Sequence, residues 1–82
     1  MYNKQEEILD ILQEECGEVI QVASKVKRFG LKSNRDRLTQ ELGDLYCMMT
    51  LLEAHDMVDW EEVLAAAKAK EDKLKTWSKI YE

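Results

Sequence analysis

Residues 12–30, LQEECGEVIQVASKVKRFG, and residues 38–52, LTQELGDLYCMMTLL, decide how this chain is read. Reduced to their chemistry they give Glu14-Glu15-x-x-Glu18, a basic segment closing on Arg28-Phe29-Gly30, and then Glu41-x-x-Asp44. Residues three apart lie on one side of an α-helix. Two such acidic pairs on antiparallel helices would aim four carboxylates at one point, where oxygen-seeking divalent cations are held.

Working outward, the first helix is expected from about Asn3 to Arg28, with Asn3 as N-cap and Glu6 three residues later. At about 100° per residue, Ile8, Ile11, Leu12, Val19, Val22, Ala23 and Val26 form one apolar stripe. Glu15 projects into the middle of that stripe, Glu18 sits at its edge, and Glu14 lies nearer the solvent border. An ionised carboxylate on a buried face is costly unless paired or metal-bound. Glu15 therefore requires a metal, a buried salt bridge or a proton.

Gly30 suits a helix stop, and Leu31 to Asn34 reads as a short loop. A second helix is expected after Ser33 or Asn34 as cap, running to about Ala54 with Leu38, Leu45, Met48, Met49 and Leu52 on its apolar face. Glu41 falls between Met48 and Leu52 in angle and Asp44 at the edge, so the anomaly of the first helix is repeated. The repetition favours a metal site over two unrelated buried acids. Gly17 and Gly43 lie inside the two acidic pairs. Each costs about 1 kcal/mol of helix propensity relative to Ala, which a close approach of the two backbones would explain.

His55 to Val58 is a short connection, after which Asp59 as N-cap and Glu62 open a third helix from Trp60 to about Lys79. Its apolar face carries Trp60, Val63, Ala67, Leu74, Trp77 and Tyr81, with Lys70 inside it and Lys73 at its margin. Lys70 is expected either to meet the acids or their anionic ligand, or to extend its ammonium to water. No acidic residue occurs from Val19 to Arg35, while Lys25, Lys27, Arg28, Lys32, Arg35 and Arg37 supply six of the twelve basic side chains in or just past that window. Lys25 projects to the side of Glu14 and Glu18, about two turns or roughly 10 Å further on, a distance a metal-bound polyphosphate spans. Lys27, Lys32 and Arg37 read as a solvated basic loop.

Bulk composition agrees with an all-α fold. The 82 residues include no Pro and three Gly, and 35% are charged. That length implies one domain, residues 1–82, whose three-helix bundle is completed by oligomerisation. A net charge of −5 argues against a nucleic-acid polymer as partner. No stretch is long and apolar enough for a membrane span or a signal-peptide core, so a cytoplasmic location is expected. Cys16 and Cys47 lack metal or redox spacing and are expected to be small core residues.

The donor set contains carboxylate oxygen alone. His55, the single His, has no Glu-x-x-His relation to the acids, and zinc ordinarily takes His or Cys. Oxygen-only ligation points to Mg²⁺, with Mn²⁺ as a substitute. No Ser/His or Cys/His set and no Gly-rich phosphate loop is present. Metal-assisted attack of water on a phosphoanhydride fits what remains.

With EExxE followed by ExxD complete, the two quoted segments resemble the all-α nucleoside triphosphate pyrophosphohydrolases of the MazG-like superfamily. The resemblance extends over nearly the whole chain, including the closing AKEDKLKTW, similar to the lysine-bearing last helix of short members. It implies Mg²⁺-dependent cleavage of a (deoxy)nucleoside triphosphate between the α and β phosphates, giving the monophosphate and pyrophosphate. Carried over, Glu15, Glu18, Glu41 and Asp44 become metal ligands, and Glu14 binds a second metal or orients or deprotonates the attacking water. Lys25, Arg28, Lys70 and Lys73 are candidate phosphate contacts; Tyr46 or Trp77 is a candidate to stack on the base. The family resemblance also implies a homodimer or homotetramer. A related phosphoribosyl-ATP pyrophosphohydrolase and a non-catalytic helical module that binds nucleotides or a protein are the alternatives. Nothing in the chain identifies the base or the sugar.

Overall fold

The computed structural model describes residues 2–82. It holds three helices, α1 (Lys4–Phe29), α2 (Arg35–Ala54) and α3 (Trp60–Trp77), and no strand among the described residues. Helix α1 starts where expected, because the Asn3 side chain accepts the Glu6 amide at 2.8 Å. It stops at Gly30, whose φ of 95° lies in the region that glycine enters at little cost, and the Gly30 amide donates to the Val26 carbonyl. Asn34 precedes α2 without capping it with its side chain. Its amide instead donates to the Gly30 carbonyl at 3.0 Å and bonds Ser33 Oγ at 3.2 Å, holding the loop closed.

Helices α1 and α2 form an antiparallel hairpin and are the one helix pair in extensive contact among the described residues. Ile8, Val22 and Met48 are its buried side chains, and Ile11, Leu12, Val19, Val26, Leu38, Leu45, Met49 and Leu52 are half-buried around them. The stripes read from the sequence thus face one another, apart from Ala23, which is exposed.

Helix α3 opens on the Asp59 cap, which accepts the Glu62 amide at 3.2 Å. Its Trp60 ring meets Tyr46 edge-on, 6.2 Å between centroids at 84°. Beyond this first turn α3 leaves the hairpin. Its apolar face is largely uncovered: Ala67, Lys70, Trp77 and Tyr81 are exposed, and Trp77 is 68% accessible. The helix also ends two residues earlier than expected, at Trp77, where Ser78 turns extended and its Oγ accepts the Ile80 amide at 3.2 Å.

Two other expectations are corrected. Cys16 and Cys47 are both exposed, free thiols outside the core. A Cβ built at Gly17 or Gly43 would meet nothing within 4 Å, so within one chain no close backbone approach accounts for either glycine.

Candidate metal centre

The hairpin brings the acidic pairs together. Glu15 comes from the middle of α1, Glu41 and Asp44 from successive turns of α2, and one carboxylate oxygen from each lies within 4.8 Å of the other two. Glu15 and Glu41 are half-buried, and Asp44 is exposed. The decisive atom is Glu15 Oε2, which is buried and has no hydrogen-bond partner among the described residues. None of the ion pairs among those residues involves Glu15 either. The buried salt bridge left open by the sequence is therefore not what holds this carboxylate.

Electrostatics point the same way. Burial pushes the Glu15 carboxyl above the ordinary range of a glutamate, and the charges of Asp44, Glu41, Glu18 and Glu14, in that order, push it further. All five acids of the two motifs thus converge electrostatically on one site. Glu14 is exposed and outside the tight cluster, as its place at the solvent border implied. Glu18 also stands outside the cluster but is tied to it by Arg37. Arg37 Nη2 donates to Glu18 Oε2 at 3.5 Å, and Arg37 Nε lies 3.9 Å from Glu41 Oε1.

Arg37 is the residue that sequence reasoning placed wrongly, as part of a solvated loop. The available signal was its spacing, four residues before Glu41 on the same side of α2.

The proposed phosphate and base contacts are spread more widely. Lys25 is exposed on α1, on the side of Glu18 by helical position. Arg28 is folded over the neighbouring Phe29 ring, 5.0 Å from its centroid. Lys70 and Lys73 ride on α3, away from the hairpin, with the Lys70 ammonium 5.6 Å from the centroid of Trp77. Tyr46 lies five residues beyond Glu41, about 140° round α2, and packs against Trp60. No ion pair joins Lys70 or Lys73 to the motif acids among the described residues, and the Tyr46 ring meets Trp60.

A cavity of about 710 Å³ lies elsewhere, at the α2–α3 connection, lined by Glu53, Asp56, Trp60 and Glu62 among others. A second of about 300 Å³ opens between Ile8, Ile11, Met48 and His55. Neither is lined by Glu15, Glu41 or Asp44.

An all-oxygen donor set, a buried carboxylate oxygen without a partner and mutual repulsion together fit a hard divalent cation. No curated protein and no solved structure compared with the chain matches it. The model of the MazG nucleotide pyrophosphohydrolase domain matches residues 3–76, a span that contains both acidic pairs and all three helices but for the last residue of α3. By this match the chain belongs to the MazG nucleotide pyrophosphohydrolase family.

Proposed function

We propose that the protein hydrolyses a nucleoside or deoxynucleoside triphosphate to the monophosphate and pyrophosphate, with Mg²⁺ as cofactor and Mn²⁺ as substitute. The observation that carries this is the Glu15 carboxylate, clustered with Glu41 and Asp44 and holding one buried oxygen without a partner, in a chain of this family. Glu15, Glu41 and Asp44 hold the cation, with Glu18 recruited from the next turn of α1. When bound, the cation polarises phosphoryl oxygens and acidifies a water.

The protein's own groups do the rest. Glu14, exposed beside the ligands, orients the attacking water and accepts its proton. Lys25 and Arg28 carry the polyphosphate away from the carboxylates along the same end of the hairpin. Negative charge developing on the phosphate is offset by these fixed cations. Lys70, Lys73 and Trp77, on or at the end of the uncovered α3, and Tyr46, packed against Trp60, join the site from a second copy. We therefore assign a homodimer or homotetramer in which the uncovered α3 of one chain lies over the hairpin of another. Leu64 and Trp77, exposed on α3, support that assembly. A single domain spanning residues 1–82 is part of the same proposal.

The test is pyrophosphate release from a panel of ribo-, deoxyribo- and modified nucleoside triphosphates, with and without Mg²⁺. Metal-dependent pyrophosphate from at least one of them is the expected result. Orthophosphate in its place would refute cleavage between the α and β phosphates. Silence across the panel would favour the non-catalytic module.

A further inference from the structure

We propose that Arg37 is the built-in counter-cation of this carboxylate site: it offsets part of the site's charge while no metal is bound and exchanges carboxylate for substrate phosphate once one is. The inference rests on the metal-centre reading above and adds a residue to it.

Arg37 stands one turn before Glu41 on α2, at the groove, and its guanidinium touches one acid from each helix, Glu18 at 3.5 Å and Glu41 at 3.9 Å. It is the sole basic side chain, among the described residues, in an ion pair with any of the five motif acids. Lys25, Arg28, Lys70 and Lys73 make no such contact.

The geometry is that of an exchangeable partner. Both separations are long, and 40% of the Arg37 side chain is accessible, so each ion pair is weak and easily given up. A short, buried, two-point pairing would lock the acids against any other cation. A divalent ion at the cluster competes with Arg37 for the charge of Glu18 and Glu41, and its higher charge outweighs two long, exposed ion pairs. Once they turn to the ion, Arg37 is released at the rim of the groove, where a metal-bound triphosphate presents its oxygens. The planar guanidinium, with five N–H donors, suits phosphate as well as carboxylate, so the exchange needs no change of protonation.

The experiment compares wild type with Arg37→Gln and Arg37→Lys in the full chain, using Mn²⁺ alone as probe. Free Mn²⁺ is counted by electron paramagnetic resonance without nucleotide, and nucleotide KM and kcat are then measured at saturating Mg²⁺. Losing two weak ion pairs should make Arg37→Gln bind Mn²⁺ about fivefold more tightly than wild type. Losing a charged phosphate contact should raise its nucleotide KM about tenfold, with a smaller change in kcat. Arg37→Lys, which keeps the charge, should lie closer to wild type in both.

Equal or weaker Mn²⁺ binding by Arg37→Gln overturns the counter-cation role. Tighter Mn²⁺ binding with an unchanged KM overturns the exchange onto phosphate. Absence of Mn²⁺ binding by wild type would instead refute the metal centre itself, before any variant is compared.

Discussion

Glu15 and Glu41 are the half-buried members of the acidic cluster, where unpaired charge costs most. Replacing Glu41 by Gln keeps its size and removes one repelling charge. We expect Glu41→Gln to lose pyrophosphate release by at least about a hundredfold, while the metal-free protein melts no lower than wild type. Wild-type turnover in this variant would take Glu41 out of the site. Glu15 supplies a pH dependence. Its carboxyl titrates above the ordinary value of 4.5 in the folded chain, so the folded state holds that proton more tightly than the unfolded one. This group's stabilisation is complete below the ordinary value and is lost as pH rises through the raised one. Glu15→Gln should therefore melt close to wild type at low pH and increasingly above it toward pH 8, without metal. A melting difference that stays flat with pH would refute the repulsion at Glu15. These two acids were legible in the sequence because a carboxylate on an apolar stripe stands out by helical arithmetic. Arg37 was not, because a basic residue near a loop looks solvated until its four-residue spacing to Glu41 is weighed.

At the scale of the element, α3 depends on itself. It has little tertiary cover, so its stability rests on the Asp59 cap and on an ion-pair run in which Lys68 lies 3.5 Å from Glu71 and 3.3 Å from Asp72, and Lys75 3.1 Å from Glu71. Asp59→Ala should cost about 1 kcal/mol of helix stability, visible as lost helicity by circular dichroism. Lys75 and Lys68 hold the Glu71 carboxyl below its ordinary range. Its contribution is then present above the ordinary value and fades as pH falls through the lowered one. Acid should accordingly fray α3 in wild type more than in Glu71→Gln; equal fraying would remove the network from the account. Both side-chain caps, at Asn3 and Asp59, could be read from the sequence because they are local. The early end of α3 could not, since it turns on a Ser78 side chain competing for the backbone, where helical propensity alone continues to Lys79.

At the scale of the whole molecule the chain is too open for its length. Its radius of gyration is 15.3 Å, with extents of 44 × 30 × 17 Å, against roughly 12 Å for a compact chain of this size. On the hairpin, Leu9, Ile20, Leu42 and Tyr46 are exposed and fall, by helical position, on the side opposite the Arg37–Glu18 pair. Sedimentation at micromolar concentration should give a particle larger than the 9.6 kDa chain. Ile20→Glu, at a 70% exposed position, should shift it to smaller species without unfolding the hairpin. A wild type that stays monomeric would contradict the assembly and remove the route by which Lys70, Lys73 and Trp77 reach the site. Periodicity showed which faces are apolar; it carries no information on what covers them, and for that reason the expectation that oligomerisation completes the bundle rested on chain length. On the proposed function the metal is held by the two acidic pairs and not by the acidic cavity at Asp56–Glu62. Anomalous diffraction at the manganese edge from crystals grown with Mn²⁺ tests it most directly. A peak is expected about 2.1 Å from oxygens of Glu15, Glu41 and Asp44, whereas a peak confined to the α2–α3 connection would refute this assignment.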